Sequence, residues 1–377
     1  VSSAAGRTLL VWLDPEQVPL VRAAVEAAGL DIVAAGSPRT GRSGEVAARL
    51  AEGTGGSVEA ADDLRAALAS GRWDAAFLAA PGSFGALADA QSGDREALRA
   101  CRSRGAIVAA LEPIPASALQ LADGQWLEDG DAAADGGAEP VHLVPLARAA
   151  GPWLSATEVM ADFGPVRTLV LEAWCRPHEG SLGARLLDAM DLALSVLGEP
   201  EGIDAAYVWP GTSAGGPSGG GGGGLRRLPG DSLRGLQGTL TANLRFADGR
   251  AACLALSDHG ARWGRTITLL GPGGRLRIYD DGFEWIDPEG VRAHASRGIG
   301  AGRPGPERAQ PESRSAAVLA EALGNMLGSA AGGHDRRRQA PLDLRRALAM
   351  AGAALLSART GEGESPDTIR KMALIPA

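Results

Sequence analysis

The sequence predicts an α/β protein in two parts. The first is an N-terminal doubly wound parallel sheet; the second is a C-terminal α+β unit on an open, mainly antiparallel sheet. Three observations carry this. Up to Pro113, short apolar runs alternate with stretches of helical period, the pattern of a parallel sheet covered by helices on both faces. From Thr239 onward, apolar and polar residues alternate one by one, as in strands with one buried face. The chain has 377 residues, more than the roughly 250–300 at which a single core stops growing. The boundary is placed so that residues 1–121 form the first domain and 122–377 the second.

In chain order, Thr8–Leu13 reads as a strand. Leu20, Val21, Ala24, Val25 and Ala28 follow at helical spacing, and Gly29 stops the helix. Asp31–Ala35 is a second strand and Glu45–Glu52 a helix. Asp62–Ser70 is another helix, with Asp62 as its cap. Asp74–Ala80 is a continuous apolar strand ending at Pro81-Gly82; Arg95–Arg104 is a helix and Ala106–Leu111 a strand. In the second part, Thr239–Phe246 places Leu240, Ala242, Leu244 and Phe246 on one face, and Asp248-Gly249 signals a hairpin. Ala251–Leu256, Thr266–Leu270, Arg275–Tyr279 and Phe283–Ile286 continue as an antiparallel meander, and Ser315–Leu327 and Leu342–Ala358 close the chain as helices. Gly211–Gly224, with six consecutive glycines, reads as a flexible loop. Gly298–Ser313 and the acidic Asp123–Pro140 read as irregular surface segments.

Composition excludes several classes. Hydrophobic residues make up 45% of the chain, so it buries a sizeable core, and a net charge of −8 offers no broad footprint for nucleic acid or anionic membrane. The three cysteines, Cys101, Cys175 and Cys253, have no CxxC spacing; they suit a reducing cytoplasm rather than a disulfide framework or zinc site. The longest apolar run, Ala347–Leu356, falls short of a membrane span, and the first residues show no basic-then-apolar leader. His142, His178, His259, His294 and His334 show no metal-ligand spacing, so no metal site is expected.

Several segments together resemble the glucose–fructose oxidoreductase/inositol dehydrogenase-type (Gfo/Idh/MocA) family. Phe163-Gly164-Pro165-Val166-Arg167 is similar to its lead into the first strand of the second domain, and Leu186–Pro200 to its catalytic helix. Leu244–Ala255, Ile267–Gly274 and Asp280–Gly290 are similar to its sheet, and Ala347–Gly361 to its penultimate helix. The resemblance implies a Rossmann-like first domain, NAD or NADP as cofactor, and hydride transfer to or from a sugar, polyol or sugar acid. It also implies an oligomer built through the second-domain sheet.

The residues that this chemistry needs are absent. A dinucleotide requires a glycine-rich turn after the first strand so that the backbone approaches the pyrophosphate. Here the turn reads Leu13-Asp14-Pro15-Glu16-Gln17-Val18-Pro19, acidic and without glycine. After the second strand, Gly36-Ser37-Pro38-Arg39 offers no acid for a ribose; Arg39 either meets a 2′-phosphate or is simply solvated. By position, the cofactor candidates are Asp14, Ser37, Arg39 and Pro81. The family's lysine lies in a Glu-Lys-Pro motif, where this chain has Leu111-Glu112-Pro113. Asp191 matches a family aspartate three residues after the catalytic histidine, which puts Asp188 in the histidine's place and Ala184 in that of a second aspartate.

Two readings of Glu112 and Asp188 stay open. They form an acid–base pair across the cleft, or Glu112 satisfies a buried backbone end while Asp188 and Asp191 cap or pair on the helix. Trp174 and Arg176 at a strand end, Asp191, and His259 in the crossover after Ala251–Leu256 are the substrate candidates. Three functions are therefore expected in turn. The first is a family member degenerate for hydride transfer, without cofactor, acting as a binding or partner subunit in a homo- or hetero-oligomer. The second is an NAD(P)-dependent oxidoreductase with substituted groups and a carbohydrate-type ligand. The third is a cofactor-free carbohydrate lyase or hydrolase using paired carboxylates.

Overall fold

The computed structural model describes residues 6–52, 56–70, 72–86, 91–121, 126, 141–209, 228–297, 312–329 and 342–373. The segments Gly211–Gly224 and Asp123–Pro140 (Trp126 apart), and Gly298–Ser313 up to residue 311, lie outside these.

The first sheet is parallel, in the order β3-β2-β1-β4-β5-β6. Its strands are β1 (Thr8–Trp12), β2 (Asp31–Gly36), β3 (Glu59–Ala61), β4 (Ala75–Leu78), β5 (Ile107–Ala110) and β6 (His142–Leu143). All four residues of β4 are buried, which explains its unbroken apolar run: a parallel strand covered on both faces has no polar side. The order reverses between β1 and β4, and in such sheets the crevice beyond the carboxyl ends at that point is where ligands bind. Helices α1 (Val18–Ala28), α2 (Ser43–Ala51), α3 (Leu64–Ser70) and α4 (Gln91–Arg102) cover the sheet. Gly29 ends α1 in the left-handed conformation (φ +68°) that glycine adopts without Cβ strain. The cap of α3 is Asp63 rather than Asp62: its carboxylate accepts from the Arg65 N–H at 2.8 Å.

The second sheet has eight strands in the order β14-β13-β12-β11-β7-β10-β9-β8. These are β7 (Thr168–Trp174), β8 (Gly202–Val208), β9 (Thr239–Arg245), β10 (Ala251–Ser257), β11 (Gly264–Gly271), β12 (Gly274–Tyr279), β13 (Gly282–Ile286) and β14 (Arg292–Arg297). The expected meander is interrupted. β7 lies between β10 and β11, parallel to β10 and antiparallel to β11. The Asp258–Trp263 crossover carries the chain over it. Alternating residues of β9 and β10 are buried and exposed. One face packs on α5 (Gly151–Phe163), α6 (Leu182–Leu197) and α8 (Leu344–Thr360); among the described residues no helix covers the other. A short α9 (Pro366–Met372) packs on α8.

Helix α7 (Glu312–Ser329) does not stay with the second sheet. Its buried Ala316, Leu319, Leu323 and Leu327 share one core with Val18, Val21 and Val25 of α1. Each fully buried leucine contributes about 1.5–3 kcal/mol, which anchors α7 on the first domain.

Candidate functional site

Beyond β1 the chain makes a single 3-10 turn, Pro15–Gln17, before α1. Gln17 is buried, and its side-chain oxygen accepts the Asp14 N–H at 3.0 Å. Its amide nitrogen lies 3.2 Å from the carbonyl of Ala79, just past β4, and 3.4 Å from that of His178, in the loop after β7. Gln17 thus spans the switch point between β1 and β4 and reaches the second domain. Asp14 and Glu16 each pair with Arg39 at 2.9 Å. Arg39, its side chain about half exposed, thus sets its charge against the acidic turn.

The end of β2 is closed in the same way. A Cβ on Gly36 would lie 2.0 Å from the Trp12 ring and 2.5 Å from the Ala61 carbonyl, so no acidic side chain fits there. Ser37 is buried and its hydroxyl accepts the Arg39 N–H at 3.2 Å. The Pro81 carbonyl takes part in the turn after β4, accepting the Phe84 N–H. Next to it Gly82 holds φ +62°, with Pro38 2.7 Å from where a Cβ would stand. The loops after β2 and β4 therefore touch. The turn after β1 does not fit a pyrophosphate in the usual pose: it has no glycine, its two prolines carry no N–H, and Asp14 and Glu16 are acidic.

Glu112, after β5, accepts the Ser181 hydroxyl at 2.7 Å. Ser181 is the N-cap of α6 and also accepts the Ala184 N–H. Burial pushes the Glu112 carboxyl above the usual range, against the opposing pull of Arg234 and Ser181; Asp258 adds to the rise. The Nε of Arg234 lies 4.0 Å from Glu112. Arg185, one turn into α6, is buried with its guanidinium 3.5 Å over the Trp263 ring. The chain's only lysine is Lys371, in α9, so no lysine stands in this cluster.

On the same helix, Asp188 is buried between elements of the second domain. It accepts the Ala147 N–H at 2.6 Å and the Arg265 guanidinium at 3.1 Å, and Arg265 also meets Asp280 at 3.3 Å. Asp191 pairs with Arg148. Burial raises the Asp191 carboxyl to about 6, against the pull of Arg148. Asp188 stands about 10 Å of helix beyond Ser181 and holds partners of its own. The structure does not bring it into the hydrogen-bonded group around Glu112.

Trp174 ends β7 on the open face of the second sheet, partly exposed, against Gly264. The Arg176 guanidinium donates to the Ala261 carbonyl at 2.9 Å. His259 is partly exposed, 3.4 Å from Asp258. Asp258 is itself buried and accepts the Gly238 N–H at 2.7 Å. Trp174, Arg176 and His259 ring the crossover beside the cluster, while Asp258 is near enough to Glu112 to add to its rise. Sequence reasoning missed Gln17, Ser181, Arg185 and Arg234. Only Ser181 carried a signal, as a hydroxyl ahead of a helical run. A groove lined by Arg7, Arg72, Asp74 and Arg104 lies at the amino ends of β1, β4 and β5, the end of the first sheet opposite these groups. Among the described residues no cluster of three or more His, Cys, Asp or Glu could hold a metal ion, and no helix is long and apolar enough to cross a membrane.

No family profile matches the sequence, and no curated protein does. Solved structures do match along nearly the whole chain. A putative myo-inositol dehydrogenase from Sinorhizobium meliloti is 15% identical, with 95% of this chain and 99% of that one covered and a TM-score of 0.58. A myo-inositol dehydrogenase from Corynebacterium glutamicum is 19% identical over 95% and 98%, with a TM-score of 0.57. A levoglucosan dehydrogenase solved with NADH and L-sorbose is 14% identical over 97% and 100%, with a TM-score of 0.63. The chain has the two-domain fold of the Gfo/Idh/MocA-type dehydrogenases, in a divergent sequence.

Proposed function

We propose that this chain keeps the oxidoreductase fold without transferring hydride, and serves as a binding or partner subunit. One observation supports the reading: Gln17, in the turn where the resemblance would put the pyrophosphate, is held between Asp14, Ala79 and His178. The replacement of the family's lysine by Glu112, and the use of Asp188 as a buried anchor, agree with it. The open face of the second sheet, which carries Trp174, Val170 and Cys253, is the proposed contact with a partner or a second copy. Eight strands spaced ~4.8 Å apart, each about 7 residues of ~3.3 Å, present roughly 900 Å². A standard interface needs about 800 Å² per partner.

The test is a thermal-shift titration with NAD⁺, NADH, NADP⁺ and NADPH. Binding at one hundred times Kd would add about 2.7 kcal/mol. The reading expects no shift from any of the four, and a saturable rise from one of them defeats it.

A second reading, an NAD(P)-dependent oxidoreductase acting on a sugar, polyol or sugar acid, is favoured by the raised Glu112 carboxyl beside Ser181. A carboxyl that burial holds above its usual range suits general acid–base work. It requires a nicotinamide absorbance change with some substrate of that class, lost in Glu112→Gln.

A further inference from the structure

The segment Leu233–Gly238 crosses between the two domains at the carboxyl ends of β4 and β5. It sits tightly on both. The Leu233 N–H donates to the Ala116 carbonyl at 2.8 Å, and Leu233 is buried. Its carbonyl stands 2.0 Å from where a Cβ on Gly183 of α6 would be, so only glycine at 183 admits the backbone there. At the other end, Gly238 donates to Asp258 and accepts the Asp258 N–H.

Arg234 projects from this strap into the first domain. Its Nη1 donates to the carbonyls of Gly82 at 2.8 Å and Phe84 at 3.3 Å. Its Nη2 donates to the Pro113 carbonyl at 2.8 Å. Its Nε faces the Glu112 carboxyl at 4.0 Å. The three carbonyls belong to the loops that follow β4 and β5, where an open α/β sheet receives its ligand. A planar guanidinium with donors in a fixed fork suits such a set of acceptors, and an ammonium does not.

We propose that Arg234 is a built-in ligand: its guanidinium occupies a cation site formed by the Gly82, Phe84 and Pro113 carbonyls with Glu112, and keeps the crevice shut. The ligand class of this site is a guanidinium or amidinium cation. With Arg234 in place the site is filled from within the chain. With its side chain removed, the three carbonyls lose this donor, two of the contacts being part-buried, and Glu112 keeps only the Ser181 hydroxyl. This concerns the crevice beyond β4 and β5 and is independent of whether a dinucleotide binds beside β1.

The test is chemical rescue of the full chain carrying Arg234→Ala, followed by its melting temperature. The variant should melt roughly 4 °C or more below wild type, the order expected when several part-buried acceptors lose a charged donor. Millimolar methylguanidinium should restore at least half of that loss, methylammonium should restore none, and neither should raise wild type. Should Arg234→Ala fail to fold, Arg234→Gln, whose shorter amide leaves part of the site empty, is titrated in the same way and held to the same outcomes. Two results would overturn the proposal: a variant that melts with wild type, or a methylguanidinium response equal in variant and wild type. A dinucleotide shift in the wild type would defeat the reading in the preceding section and leave this one standing.

Discussion

Asp188→Asn separates an anchoring role from a catalytic one. Asp188 is buried and holds the Ala147 N–H at 2.6 Å and Arg265 at 3.1 Å. Asparagine keeps an oxygen for Ala147, but turns its NH₂ toward the Arg265 guanidinium, donor against donor. The loss is a charge-assisted hydrogen bond, about 1.5–3 kcal/mol, plus part of the cost of leaving Arg265 buried with one fewer carboxylate. Removing one partner of a buried pair costs about 3–5 kcal/mol in full. Asp280 still neutralises Arg265 from 3.3 Å, so the net expectation is about 2–4 kcal/mol. At roughly 2 °C per kcal/mol for a chain of this size, melting falls by about 4–8 °C. Urea unfolding at neutral pH, followed by tryptophan fluorescence, measures it through the midpoint at unchanged slope. A midpoint equal to or above wild type would refute the anchoring role, since functional groups held against stability commonly give that result.

Further expectations follow from single contacts. Gly36→Asp, which would place an acid at the end of β2, should destabilise the fold by several kcal/mol without conferring NAD affinity, because its Cβ would meet the Trp12 ring at 2.0 Å; soluble yield and melting temperature report it. Asp191 is raised by burial to about 6, so the folded chain binds more protons than the unfolded one between about pH 4 and 6. Stability present at the acid end is lost as pH rises through about 6, by at most about 3 kcal/mol, with Glu112 acting in the same direction. Asp191→Asn should flatten that part of a plot of urea midpoint against pH. In native protein, Cys253 is exposed while the Cys101 and Cys175 thiols are buried and raised to about 11. A thiol reagent should thus modify Cys253 alone in a monomer, and Cys253 should be protected in an oligomer packed through the open sheet.

Much of the frame was legible because burial writes itself into local pattern. β4 is buried on both faces and reads as one apolar run; β9 is buried on one and reads as alternation. What stayed hidden depends on neighbours far along the chain. β7 interrupts the meander because its partners are β10 and β11, which no spacing within Thr239–Ile286 records. β3 and β6 are too short to carry a period. In the site, the departures from the dehydrogenase pattern were visible residue by residue. The partners of those residues were not. Asp188 meets Arg265 and Asp191 meets Arg148 from other elements. Arg234 sits in a glycine- and proline-rich stretch with no period to distinguish it.

The proposed function has Gln17 and the Arg39-paired turn standing where a dinucleotide would bind. Isothermal titration of NADH and NADPH into the wild-type chain tests it most directly. No saturable heat is expected up to millimolar nucleotide; a one-to-one isotherm in the micromolar range, abolished by Gln17→Trp, would show that the chain still binds a dinucleotide there.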